Sequence, residues 1–162
     1  MVRKVLAGSA VAYLFLLGLA LSSLWSNNQA PIVKHSSSTI AITADGATLL
    51  VVNPDSNSLT LVETAGRAVL AEIPVGVDPR SVAVSPDGGT AYVANQGSDS
   101  LSVVDVTAGA VITAVAVGDR PVGVAVSPDG RFVAVAELGA DRVRLLDAAT
   151  LSTLSVLSLI HI

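Results

Sequence analysis

A step of 42 residues organises this sequence. The stretch Gly76 to Val117 is followed by a second copy that starts at Gly118, and 14 of the 42 aligned positions are identical. Pro79 returns as Pro121, Ser85-Pro86-Asp87-Gly88 returns as Ser127-Pro128-Asp129-Gly130, and Asp105 returns as Asp147. One step back, Thr43-Ala44-Asp45-Gly46 stands under the same turn, Asn53 under Asn95 and Leu59 under Leu101. Three copies at one fixed spacing dictate a repeat architecture, in which each unit buries its apolar faces against its neighbours.

Each copy reads as four short strands. In the middle copy Ser81 to Ser85 alternates and stops at Pro86-Asp87-Gly88, where Pro suits the first central position of a tight turn and Gly accepts positive φ. Thr90 to Asn95, Ser100 to Asp105 and Ala110 to Val117 follow as strands rich in β-branched residues, separated by turns at Gln96 to Asp99 and Thr107 to Gly109. Pro, Gly and β-branched residues interrupt every helical window. In Val122-Gly123-Val124-Ala125-Val126 the valines share one face and the small residues the other, so both faces are apolar and each wants a neighbouring sheet. Four antiparallel strands per repeat make one blade of a propeller. The expected fold is all-β, with blades at about 39–75, 76–117 and 118–156.

The combination of Tyr92-Val93-Ala94-Asn95, the preceding Ser85-Pro86-Asp87-Gly88, the following Ser102-Val103-Val104-Asp105 and the Gly-x-x-Pro at Gly76 to Pro79 and Gly118 to Pro121 resembles the YVTN family of β-propeller repeats. The resemblance covers residues 39–156 and implies one blade per repeat in an exported or cell-surface protein, without implying a single activity. Leu50 and Ala134 stand where Tyr92 does, Glu137 where Asn53 and Asn95 do, and Thr43-Ala44 where Ser-Pro does.

Three blades make an incomplete ring, and the first and third should each leave an apolar face exposed, larger than a soluble monomer tolerates. A polar outer face on the end repeat is expected of an open stack, and Val124, Val126, Val133 and Val135 offer none. The sequence therefore reads as the front of a longer protein. Leu157 to Ile162 is the in-frame translation of CTGTCTCTTATACACATC, a library-adapter end, so the natural sequence is expected to stop near Val156, with 157–162 an artefact.

Arg3 and Lys4 before about 20 apolar residues have the pattern of an export signal or, left uncut, of a membrane anchor helix over residues 1–25. Either sends the repeats to the periplasm, the cell surface or the medium. Residues 26–38 read as a flexible linker, with His35 a solvated side chain. Beyond the leader, seven basic residues face thirteen acidic ones, which leaves no basic stripe for nucleic acid. The absence of Cys removes thiolate metal sites, thiol nucleophiles and covalent haem attachment.

No nucleophile, base and orienter recur at a useful spacing, and Asp87, Asp105, Asp129 and Asp147 repeat with the blades, as turn residues do. The expected function is a non-catalytic, exported binding module without a cofactor or metal, for a protein or small-molecule ligand, touching membrane only through its leader if that is left uncut. The alternative is the N-terminal part of a periplasmic propeller enzyme or an accessory of a haem or quinone oxidoreductase. Candidate contacts on one loop face are Asp78, Arg80, Asp119 and Arg120 between blades, and Asn95, Asp99, Glu137 and Asp141 between second and third strands. The competing reading of all eight is that they are solvated turn residues chosen for backbone geometry.

Overall fold

The computed structural model describes residues 39–158, which fall within one compact unit. The leader, the linker and residues 159–162 lie outside the described residues, so the anchor helix expected over residues 1–25 receives no structural account. Every strand comes from the repeat, and twelve strands form three four-stranded antiparallel sheets, the blades of an incomplete propeller. Blade 1 consists of β1 (Ile40–Ile42), β2 (Thr48–Asn53), β3 (Ser58–Glu63) and β4 (Val69–Pro74). Blade 2 consists of β5 (Pro79–Val84), β6 (Thr90–Asn95), β7 (Ser100–Asp105) and β8 (Ala110–Ala116). Blade 3 consists of β9 (Pro121–Val126), β10 (Phe132–Glu137), β11 (Arg142–Asp147) and β12 (Thr153–Ser158).

Within a blade the strands pair in sequence order, as short connections favour. The first turn is closed in the same way in every blade. Gly88 donates its N–H to Ser85 O at 2.9 Å, and Thr90 N–H goes to Ser85 Oγ at 2.9 Å. The Thr43 hydroxyl accepts Thr48 N–H at 3.0 Å in blade 1, so the replacement of Ser by Thr keeps the bond. The third and fourth strands carry a bulge at matching places, Leu61/Val62, Val103/Val104 and Leu145/Leu146. A bulge adds local twist, and its recurrence gives each blade the same outer curl.

The core lies between blades. Leu50, Val52, Leu59, Leu61 and Ile73 of blade 1 meet Val82, Val84, Ala91, Val93 and Val104 of blade 2. The opposite face of blade 2, with Ala83, Tyr92, Ala94, Leu101 and Val103, meets Val124, Val126, Val133, Val135 and Leu146 of blade 3. Blade 2 is therefore apolar on both sides because both sides are covered. One expectation is corrected here. Val124, Val126, Val133 and Val135 lie on the inner face against blade 2 and are buried, so they say nothing about the outer face of the stack. Strand alternation puts Ala125, Ala134, Ala136, Val143 and Leu145 on that outer face. The last strand pairs with β11 through Leu157, opposite Val143, and Ser158, opposite Arg142.

Candidate functional site: the loop face

The crossing from one blade to the next and the turn between second and third strands lie on one face of the stack, where they hold each other. The second turn of blade 2 is a single 3-10 turn, Gln96–Ser98, ending at Asp99 in the left-handed region with φ 48°. Leu138–Ala140 and Asp141, φ 45°, repeat it in blade 3. The crossing segment adopts the same conformation at Asp78, φ 53°, and Arg120, φ 51°. Asn and Asp tolerate this region better than most residues, which accounts for the run of Asn and Asp on this face.

Each crossing is held from two sides. Its own blade donates to it: Gln96 N–H to Asp78 O at 2.9 Å and Gly97 N–H to Val77 O at 2.9 Å, with Leu138 to Arg120 at 3.0 Å and Gly139 to Asp119 at 3.1 Å in blade 3. The preceding blade accepts from it. Asn57 Oδ1 takes Asp78 N–H at 2.8 Å, and Asp99 Oδ1 takes Arg120 N–H at 2.8 Å.

The structure brings some of the eight expected residues together and separates others. Asp78 and Arg80 pair at 2.9 Å, and Arg80 Nε also donates to Gln96 Oε1 at 2.9 Å. Asp119 and Arg120 are exposed neighbours 3.8 Å apart, a distance and setting in which an ion pair contributes little. Asp141 is exposed. Asn95 and Glu137 stand apart from the rest, at 0% and 1% exposure, because each ends the second strand with its side chain turned onto the sheet towards the preceding blade. Expected as loop contacts, they are buried polar anchors.

Both anchors reach to the third strand. Asn95 Nδ2 donates to Ser100 Oγ at 3.1 Å and Ser102 Oγ at 2.9 Å, and Asn53 Nδ2 donates to Ser58 Oγ at 3.0 Å and Thr60 Oγ1 at 2.8 Å. Blade 3 replaces this neutral cluster with a charged one. Glu137 Oε1 accepts Gly118 N–H at 2.7 Å and Arg144 Nε at 2.6 Å, while Arg142 Nε donates to Glu137 Oε2. Burial pushes the Glu137 pKa up, but the Arg144 and Arg142 guanidinium groups and the Gly118 N–H outweigh it and hold the carboxyl below its ordinary value. Arg142, Arg144, Ser100 and Ser102 were missed as partners from sequence alone. Their signal is a second-order repeat: Ser-x-Thr at 58 and 60 and Ser-x-Ser at 100 and 102 follow Asn, whereas Arg-x-Arg at 142 and 144 follows Glu.

These anchors explain the Gly-x-x-Pro motif. A Cβ on Gly76 would lie 2.5 Å from Asn95 Cγ, and one on Gly118 would collide with the Glu137 carboxylate and Arg142. Opposite the loop face, Asp87 and Asp129 are turn residues held below the ordinary carboxylate range by the hydroxyls of Ser85 and Ser127 and by the N–H groups of Gly89 and Arg131. Asp147 is held down by the backbone N–H and hydroxyl of Thr150, and Asp105 accepts Ala108 N–H at 2.8 Å. All four close turns, as their repetition implied. Among the described residues no group of three His, Cys, Asp or Glu is placed to hold a metal ion.

Comparison with solved structures shows the fold. Hydrazine synthase from Kuenenia stuttgartiensis is similar to this chain with 32% identity and a TM-score of 0.71, over 80% of this chain and 38% of that one. A functionally unknown protein from Desulfotomaculum acetoxidans is similar at 22% identity and TM-score 0.65, over 76% and 43%. AztD from Citrobacter koseri is similar at 21% identity and TM-score 0.64, over 81% and 36%. The chain thus spans about two fifths of the length of these proteins. No curated protein matches it. The family model described as the cytochrome D1 heme domain matches residues 44–161, from the first turn of blade 1 through the whole of blade 3, and this chain belongs to that family.

Proposed function

We propose that this chain is an exported propeller module that acts by binding, through its loop face, to a protein or small-molecule ligand. The supporting observation is how the polar groups of that face are engaged. Asp99 holds the next crossing, Asp78 and Arg80 hold each other, and Glu137 is neutralised by two arginines. Such groups fix a rigid surface, and Asp119, Arg120 and Asp141 remain exposed on it. Export is inferred from the leader, and a YVTN type of repeat from Tyr92 to Asn95.

Family membership favours a second reading, in which the chain is part of a propeller enzyme or an accessory of a haem oxidoreductase. Haem iron is taken by His, Cys, Met or Tyr side chains. Among the described residues only Tyr92 is of these types, and it is 4% exposed in the core between blades 2 and 3, where burial raises its pKa. The described residues therefore do not fit an axial ligand, and in the second reading these blades support a haem partner without ligating iron.

Two experiments test the readings. Envelope proteins retained by the native chain are compared with those retained by an Asp119→Ala/Arg120→Ala/Asp141→Ala variant whose thermal melt is unchanged. A specific partner lost by the variant supports loop-face binding; identical retention contradicts it. Titration with haem b should leave the Soret band of free haem in place, and a stoichiometric, sharpened and shifted band would show that the chain ligates iron itself.

A further inference from the structure

Blade 2 fills the end of its second and third strands with uncharged side chains, Asn95 against Ser100 and Ser102. Blade 3 puts Glu137, Arg142 and Arg144 at the same three positions. The neutral set shows that a blade junction needs no charge here, and a buried ion pair is seldom worth more to stability than well-packed uncharged groups. The charges of blade 3 therefore call for a reason beyond folding.

Nor do these charges balance. The chain has 13 acidic residues against 9 basic ones, yet here two arginines share one carboxylate. Glu137 takes the Nε of both arginines and the N–H of Gly118, and Arg144 gives Nη1 to Thr153 Oγ1 at 3.0 Å. Both Nη groups of Arg142 and Nη2 of Arg144 have no hydrogen-bond partner among the described residues. The two side chains are 35% and 18% exposed, so one positive charge is left over and partly withdrawn from water, where it attracts an anion more strongly than on an open surface. Both arginines lie on the side of β11 that faces blade 2, two residues apart. Blade 2 brings Val115 and Val117 to the same interface. The other carboxylates near this end do not supply the missing charge: Asp99 holds the Arg120 N–H, and Asp119 and Asp141 are exposed in the loops, where salt screens them.

We propose that the junction of blades 2 and 3 binds a small oxyanion, a carboxylate or a phosphate, on the outer edges of Arg142 and Arg144. Guanidinium forks match the paired oxygens of either group. The site stands apart from the exposed Asp119, Arg120 and Asp141 surface, so each reading can fail without the other.

The test is a titration of the full chain with sodium phosphate and, separately, with sodium acetate, against sodium chloride at equal ionic strength. Nuclear magnetic resonance reads the Arg142 and Arg144 Nε–H signals and the Gly118 amide. A saturable shift of these signals is expected with at least one oxyanion and not with chloride; saturation by phosphate alone identifies a phosphate site, and by acetate alone a carboxylate site. Arg142→Ser and Arg144→Ser should each weaken binding about tenfold, as loss of a charge-assisted hydrogen bond does. The Gly118 shift should vanish in Glu137→Asn/Arg142→Ser/Arg144→Ser, which carries the blade 2 set, and persist in Asp119→Ala/Arg120→Ala/Asp141→Ala. An equal response to chloride, a response that never saturates, or one that survives in the neutral variant would overturn the proposal.

Discussion

Asp99 Oδ1 accepts the backbone N–H of Arg120 at 2.8 Å, and this bond carries one blade's turn onto the crossing into the next. Asn57 makes the same bond to Asp78 one repeat earlier, so an amide oxygen serves as well as a carboxylate. Asp99→Asn should therefore leave stability within about 0.5 kcal/mol, whereas Asp99→Ala should cost about 1 kcal/mol by removing the acceptor. Urea unfolding of both variants at equal protein concentration checks this.

The buried cluster of blade 3 gives a sharper prediction. Glu137→Gln leaves two partly buried arginines without their counter-charge and should cost about 2 to 3 kcal/mol. Restoring the neutral set of blade 2 with Glu137→Asn, Arg142→Ser and Arg144→Ser together should recover most of that loss. Non-additivity of this size is expected of residues in one network, and thermal melts of the single and triple variants measure it.

Acid should weaken the fold through the same carboxylates. Glu137, Asp45, Asp87, Asp129 and Asp147 are all held below their ordinary pKa values in the native state. A depressed native pKa stabilises the fold fully above the unfolded value of about 4 and loses that contribution as pH falls through the native value. The melting temperature should be flat from pH 7 to about 5 and drop towards pH 3. Glu137→Gln should start lower and drop less. An unchanged slope in that variant would contradict the ion triad.

Two backbone positions predict changes of opposite sign. Gly118→Ala forces a methyl into the Glu137 carboxylate and should cost about 1 to 3 kcal/mol, as overpacking does. Arg67 is exposed and left-handed, φ 56°, where the next repeat has Gly109, φ 63°. Arg67→Gly should stabilise by about 0.5 kcal/mol, the relief of backbone strain exceeding the added freedom of the unfolded chain. Chemical denaturation of the two variants distinguishes them.

The blades were legible because turn chemistry and strand alternation repeat together: Ser85 to Gly88 and Ser127 to Gly130 each mark a strand end, and the period carries the assignment to Thr43 to Gly46, where the Pro is missing. The facing of individual strands was less so. In Val122 to Val126 both faces are apolar, and composition alone did not show that Val124 and Val126 look back towards blade 2. The loop residues were legible as turn formers, but the burial of Asn95 and Glu137 was not. It depends on cross-strand pairs such as Glu137 opposite Arg142, which bring together residues that a linear reading treats as separate solvated charges.

The central claim is that each repeat is a blade whose core is shared with the next. Methyl–methyl nuclear Overhauser contacts test it most directly. Contacts are predicted between Leu50, Val52, Leu59 or Leu61 and Val82, Val84, Val93 or Val104, and between Leu101 or Val103 and Val133, Val135 or Leu146. A spectrum with methyl contacts only within each 42-residue repeat, and none between repeats, would contradict the stacked-blade architecture.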